Sequence, residues 1–402
     1  MSHAPEPILR LTGTRVAEYF RFGCERQLRQ EMAPASERSS RSGPRPGAGL
    51  LVAAGRAWER KKLRQLVHRL GEERVAGDGQ ERLPCARVVE LLRDPGQAEV
   101  LLQPELRLAA PEPFARRFGL DPDRIAIAAA VPDLIRVRRL RSGRVLFQIV
   151  DIKASAEARV SHYAQVAYYS LVLEELCRSS GIASGEVDVR WGRIWSRESA
   201  APKRFPLGAY RHHVARLLRE RVARVSTLAP EECAWHLAPK CAGCPYFESC
   251  RAEADATDNL ARVPGITPTA KEVLASRGIR TVHALAKSFR KDTYQGCHAL
   301  ESQTERLQKR TQALQYGKVF DVEQRTHLMP PSEDVRVVLS AESDPVSGLC
   351  FALGARVEAR GPLAHLAGEA VWLCEHDSRA AERAMLDALL ARLDGVLTGV
   401  AG

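Results

Sequence analysis

The stretch that most limits what this chain can become is VPDLIRVRRLRSGRVLFQIVDIKAS, residues 131–155. Two apolar segments that read as strands flank a polar turn, RRLRSGR. The charges sit at their ends: Asp133 follows a proline, and Asp151 and Lys153 follow the apolar run FQIV. Burying a charge is costly unless it is paired or binds metal. An antiparallel pair of strands joined by that turn would bring Asp133 and Asp151 close together. Strand side chains alternate, so Lys153 points to the same face as Asp151. Two carboxylates and the main-chain carbonyl of Ile152 offer a hard divalent cation the oxygen donors it prefers. The lysine could orient or activate a water for attack on phosphorus and neutralise developing charge. Taken alone a D-x-K triplet is common, and a surface ion pair accounts for it.

The surrounding chain predicts an α/β fold. Residues 9–31 read as a strand and then a helix capped near Thr12 or Thr14. Residues 33–48 are rich in Ser, Pro and Gly and read as a loop, and Gly55 to about Leu70 as an amphipathic helix. Residues 98–110, IAIAAAVPDLIRVRR and GRVLFQIVDIKAS read as three strands of one sheet. The helix VSHYAQVAYYSLVLEELCRSS and a further strand, EVDVRWGRIWS, follow. This order predicts a mixed sheet flanked by helices. Beyond Cys250 come a short helical unit, a polar helix over about 299–316, a hairpin, one more strand and a last helix.

Charge narrows the partners. The 402 residues carry a net charge of +11, unevenly spread. Residues 331–402 hold 6 Arg, no Lys and 11 Asp+Glu, which leaves +16 on the first 330. Such a surface suits a polyanion. The chain has no apolar run of about 18 residues, so no membrane span is expected. The N-terminal MSHAPEPILRLTGTRV lacks a signal-peptide pattern. Ten cysteines without such a signal predict reduced thiols in a cytoplasmic protein, with any clustered ones serving a metal. WHLAPKCAGCPYFESC sets Cys241, Cys244 and Cys250 in C-x2-C-x5-C spacing. Three thiolates so close call for a fourth ligand; zinc or a [4Fe–4S] cluster would accept four, and spacing favours neither. Cys85, Cys177, Cys233, Cys297 and Cys350 read as packing residues, with Cys233 a substitute ligand.

The run VPDLI…DIKAS…SHYAQVAYYSLVLE resembles the core of the PD-(D/E)XK nuclease superfamily, in its RecB-like branch. The resemblance implies a restriction-endonuclease-like fold, with Asp133 and Asp151 as metal ligands for Mg2+ or Mn2+ and Lys153 as the catalytic lysine. It implies that Gln165 and Tyr169, matching a Q-x-x-x-Y helix signature, approach substrate and lysine. His162, one turn earlier, is expected to face the same groove and the DNA. The branch carries a histidine or glutamate after a glycine on its first core helix, which GRAWERK matches with Gly55 and Glu59. Glu105, in LLQPELRL, is a further candidate ligand from a neighbouring strand. Relatives of the AddB and CRISPR-associated type hold a [4Fe–4S] cluster with one cysteine far upstream, which implies Cys24 as the partner of Cys241, Cys244 and Cys250.

Two appendages follow the same resemblance. VPGITPTAKEVLASRGIRTVHALA looks like a helix-hairpin-helix, whose turn at Pro264, Gly265 and Ile266 would offer backbone N–H groups to DNA phosphates. The tail looks like the opening strands of a ribonuclease H-like domain. Ser340-Ala341-Glu342 stands where relatives carry a D-x-E metal motif, so a degenerate, inactive segment is expected. The expected organisation is a nuclease core over 1–255, the hairpin over 256–292, a helical linker over 293–330 and the tail over 331–402. The expected function is hydrolysis of DNA, single-stranded or with free ends, in repair, recombination, or mobile-element or CRISPR-related processing. Helicase, CRISPR or repair proteins are the expected partners. The rival is a silent DNA-binding subunit of a larger complex, against which the full Asp/Asp/Lys set argues.

Overall fold

A computed structural model describes residues 8–39, 41, 43, 48–288, 294–320, 333–344, 348–376 and 378–401. The chain divides into two compact units, 1–320 and 321–402. In the first, β1 (Leu9–Leu11) runs into α1 (Gly13–Phe22). Thr12 caps that helix, its hydroxyl accepting from the Arg15 N–H at 3.2 Å and satisfying one of the free donors of a first turn. The single helix expected to reach residue 31 is in fact two. Gly23 adopts φ +56 and ends α1, and α2 (Glu25–Met32) starts afresh with Cys24 at its N-cap. Left-handed backbone is cheap for glycine alone, so Gly23 makes the elbow.

The helix expected from Gly55 begins earlier, as α3 (Ala48–Leu70). Then come β2 (Val75–Ala76), α4 (Cys85–Arg93), β3 (Val100–Leu102), α5 (Glu112–Arg117) and β4 (Ile125–Ile127). They are followed by β5 (Leu134–Arg139), β6 (Val145–Lys153), α6 (Val160–Ser179) and β7 (Glu186–Val187). β8 (Trp191–Ser196), β9 (Lys203–Pro206) and α7 (Leu207–Arg216) complete the core. Seven strands make one mixed sheet, in the order β2-β3-β5-β6-β8-β9, with β7 beside the start of β6. β5 and β6 are antiparallel, joined by a turn in which the Leu140 N–H donates to the Arg144 carbonyl at 2.8 Å. β8 lies parallel to β6, and α6 provides the crossover that parallel neighbours require.

Two segments depart from the sequence reading. IAI, expected in the main sheet, pairs with β1 in a separate parallel ladder, Leu9 opposite Ile125. EVDVRWGRIWS divides into β7 and β8 because Asp188 turns the chain. Its carboxylate accepts from the backbone N–H groups of Arg190 and Trp191 at 3.1 and 3.0 Å, a local bond that competes with strand pairing.

Alternation along the central strands gives the sheet two apolar faces. Leu134, Val150 and Ile152 pack with Leu63 and Leu66 of α3. Ile135, Val137, Phe147 and Ile149 join the main core with α1 and α6. Full burial of such a side chain stabilises by about 1.5–3 kcal/mol, so register is strongly held. The helices Pro268–Ser276, Val282–Lys287 and Thr304–Tyr316 contribute to a core of their own.

The second unit is an antiparallel meander of β10 (Val335–Ser343), β11 (Cys350–Ala359) and β12 (Gly368–Leu373), with a helix over Arg379–Ala401. Ser340 lies opposite Gly354 and Glu342 opposite Ala352. Among the described residues no helix is long and apolar enough to cross a membrane.

Candidate active site and cysteine cavity

Asp133 immediately precedes β5, while Asp151 and Lys153 close β6; Leu134 pairs with Val150, so the acids arrive at one edge. The Ile152 N–H donates to Asp133 Oδ2. Lys153 Nζ lies 2.6 Å from Asp151 Oδ2. The two form a close, buried ion pair, with the ammonium donating to the carboxylate. Burial, and then the Asp151 charge, push the Asp133 carboxyl well above the usual carboxylate range. Burial disfavours the Lys153 ammonium, but Asp151 and Asp133 outweigh it and raise the lysine pKa. Lys153 is therefore charged at neutral pH.

α6 brings the next layer. Gln165 Nε2 donates to Tyr169 Oη at 2.8 Å, a bond between neighbours four apart on one helix face. Burial, then Asp151 and Asp133, raise the Tyr169 phenol, which keeps its proton. Gly13 of α1 leaves room for that ring, since a Cβ there would stand 2.4 Å from Tyr169 Cε1. His162 Nδ1 accepts from the Arg159 N–H at 3.2 Å. Burial, and then the Lys153 charge, push His162 down to about 4, so it is neutral near pH 7.

Glu59 of α3 reaches the same place: its charge acts on Asp133, Lys153 and Tyr169. Glu105 is turned to Arg107 instead, at 2.7 Å. The sequence reading missed Gln103. Its Nε2 donates to Glu59 Oε1 at 2.9 Å, and its backbone N–H donates to the Asp133 carbonyl at 2.8 Å. It does so at φ +44, unusual for a non-glycine and doubly so before Pro104, where extended backbone is favoured. A polar residue between a buried strand and a proline was the available signal.

Among the described residues no three His, Cys, Asp or Glu side chains stand ready-spaced around an ion. The donors nonetheless suit a hard cation: the buried Asp151 Oδ2, which faces Lys153 Nζ, the Asp133 carboxylate, and Glu59, whose charge acts on Asp133.

A second constellation lies where α2 meets the chain after Trp235. Cys24, Cys241, Cys244 and Cys250 all line one small, largely apolar cavity, with Phe22, Arg26 and Trp235 around it. Cys24 sits in the Gly23 elbow, and a Cβ on Gly23 would stand 3.2 Å from Lys240 Nζ, beside Cys241. Tyr246 Oη donates to Glu31 at 2.9 Å, Arg221 pairs with Glu25 at 2.8 Å, and Arg26 stacks over Trp235 at 4.6 Å. All ten cysteines are free thiols. Burial raises Cys24 and Cys250 and pushes Cys244 up to about 11, so these three hold protons at neutral pH. Cys233 is buried outside the cavity, its Sγ 3.4 Å from the Ala229 carbonyl. Four thiols lining one small apolar space supply the donor set of a tetrathiolate group, without standing at ion-holding spacing.

At the hairpin turn Gly265 is exposed with φ +97, but Ile266 is buried and its N–H donates to the Val263 carbonyl at 3.2 Å. Arg310 donates to the Pro264 carbonyl at 2.8 Å.

A mixed sheet flanked by helices, with two acids and a lysine at the edge of its central strands, is an architecture consistent with restriction-endonuclease-like nucleases. The sequence model of the PD-(D/E)XK nuclease superfamily matches residues 23–251, more than half of the chain, and the protein belongs to that superfamily. No curated protein matches it.

Proposed function

We propose that the chain is a metal-dependent DNA nuclease of the RecB-like branch, and that Cys24, Cys241, Cys244 and Cys250 hold a [4Fe–4S] cluster. It acts as an exonuclease or end-processing endonuclease on DNA ends arising in repair, recombination or mobile-element processing. The observation that carries the reading is the meeting of Asp133, Asp151 and Lys153 at one sheet edge under Tyr169.

Asp133, Asp151 and Glu59 would hold Mg2+ or Mn2+, with the Ile152 carbonyl as a further donor. Such an ion supplies charge for the phosphate and an acidified water. Lys153, kept charged by both aspartates, offsets charge that builds on the phosphoryl oxygens. Because Gln165 donates to Tyr169 Oη, the phenol's own proton is left to reach an acceptor in the site. His162 stays neutral and hydrogen-bonds without adding charge. At the cysteine cavity, loading must expel thiol protons, so uptake weakens in acid.

The test is incubation of anaerobically purified protein with end-labelled single- and double-stranded DNA and RNA, with and without Mn2+ or Mg2+. Metal-dependent loss of DNA label is expected. Cleavage of RNA alone would overturn the DNA assignment; DNA bound but left intact at every metal concentration would overturn the nuclease.

A further inference from the structure

The α3 side of the sheet carries a cavity that the carboxylate centre does not use. It measures about 240 Å³ and is lined by Arg69 of α3, Arg136 of β5 and Arg193 of β8, over an apolar floor that includes Trp195. Arg136 lies two residues beyond Leu134, whose side chain packs against α3, so it faces α3 rather than α6.

The charges here are unbalanced. Burial and then Arg138 pull Arg136 below its ordinary value, with Arg69 adding to the effect. Burial, then Arg136, Arg138 and Arg204, do the same to Arg193. Five guanidinium groups therefore repel one another across one small region. The carboxylates nearby offset only part of this: Glu99, on the cavity wall, is ion-paired with Arg74 and also supports Arg136, and Asp188 supports Arg193. Asp188 accepts from Gln148 Nε2 at 2.8 Å and from two backbone N–H groups. Arg193 is fixed by the Gln148 side chain and by the Pro202 carbonyl at 3.0 Å. Among the described residues the Arg69 and Arg136 guanidiniums have no hydrogen-bond or ion-pair partner. Gathering like charges costs stability, whereas planar guanidinium forks match phosphate oxygens in pairs.

We propose that this cavity is a second phosphate-binding site, which takes a backbone phosphodiester of the nucleic acid strand whose scissile bond lies at Asp133 and Asp151. The proposal rests on the nuclease reading of that centre. α3 is the physical link. Glu59 stands at the centre and Arg69 ten residues further on, about 15 Å along the helix axis. Over its 23 residues α3 carries six Lys and Arg, and Glu59 is its one carboxylate. Lys62, three residues after Glu59 and seven before Arg69, lies on their side of α3, while Arg60, Lys61 and Arg64 are exposed on its outer side. A polyanion running along the helix is thus favoured over a free anion, which would need the cavity alone. Lys62 lies over the Trp58 and Trp195 rings at 4.5 and 5.0 Å, which ties α3 to the cavity floor.

The test uses the full chain with Arg69→Gln and Arg136→Gln together, binding a labelled single-stranded oligonucleotide in metal-free buffer across a salt titration. Each lost phosphate contact lowers the slope of log affinity against log salt by about 0.7. The double variant should bind about tenfold or more weakly at low salt, with a slope smaller by about one. Its melting temperature should hold or rise, because repulsion is relieved. Arg69→Gln alone, at an exposed helix position, repeats the test should the double variant not fold. Unchanged affinity and slope in a folded variant would overturn the proposal. So would an unchanged oligonucleotide slope with lost nucleoside triphosphate binding, which would make the cavity a free-nucleotide site. The nuclease reading fails separately: a wild-type chain that binds no oligonucleotide, or an Asp151→Asn chain that still cuts, would reject it whatever the arginines do.

Discussion

At the scale of single residues, the centre holds one charge more than it can hold comfortably. Asp133 has a carboxyl pKa raised by burial and by Asp151. A group whose folded pKa lies above its unfolded value favours the folded state when protonated, and that stability is lost as pH rises through the folded pKa. Asp133→Asn imitates the protonated form and can still accept from the Ile152 N–H. It should melt higher than wild type at neutral pH, the difference shrinking in acid, while cleavage falls by at least about 10²-fold. Melts across pH beside cleavage rates check both halves; a less stable Asn variant at neutral pH would contradict the assigned repulsion. Gln103 makes a different kind of prediction. Gly accepts φ +44 without strain and keeps the backbone hydrogen bonds to the Asp133 carbonyl and from the Leu83 N–H, but cannot reach Glu59. Gln103→Gly should therefore fold as stably as wild type and need more Mn2+ for half-maximal cleavage. A metal titration reads it, and an unmoved midpoint would show that Glu59 needs no such support.

At the scale of elements, much of the core was legible in the sequence because its signals are local. Apolar runs on either side of a polar turn marked β5 and β6, and the helical stretch after Asp151-Ile152-Lys153 marked α6. The pairing of β4 with β1 was not legible, since three-residue strands over a hundred positions apart carry no pattern that names a partner. Gln103 escaped for a similar reason: its part depends on a backbone angle that residue type does not announce. The signal for the elbow is local: Gly23 is the residue type that ends a helix in left-handed backbone.

Contacts between elements can be tested at Gly13, where α1 crosses α6. Alanine is the better helix former by up to about 1 kcal/mol, but its Cβ would stand 2.4 Å from the Tyr169 ring, and overpacking costs about 1–3 kcal/mol. The clash should win, so Gly13→Ala should melt lower and cut more slowly; a variant that melts higher would show that Tyr169 has room to move. α2 gives the matching test for the thiols. Cys24→Ser should bleach anaerobically purified brown protein, lower its melting point and remove the roughly four irons per chain that a [4Fe–4S] cluster carries. Colourless wild-type protein with one zinc would keep the four thiols and reject the cluster.

At the scale of the whole molecule, the first unit joins the carboxylate centre, the cysteine cavity and the arginine cavity on one continuous scaffold. The acidic tail forms its own meander and helix. Ser340 and Glu342 lie on an exposed strand there, and nothing in the proposed chemistry draws on them. The excess of positive charge falls on the unit that holds the candidate site, as expected of a chain that meets its substrate through phosphates. The central claim is that Lys153 acts on charge that develops during cleavage rather than on binding. It is tested most directly by measuring, for wild type and Lys153→Ala, both the cleavage rate of end-labelled DNA in Mn2+ and the affinity for the same DNA without metal. The account predicts a loss of cleavage of about 10²–10³-fold with affinity changed less than about threefold, roughly 0.6 kcal/mol. Full cleavage by Lys153→Ala, or losses of rate and affinity in equal measure, would contradict it.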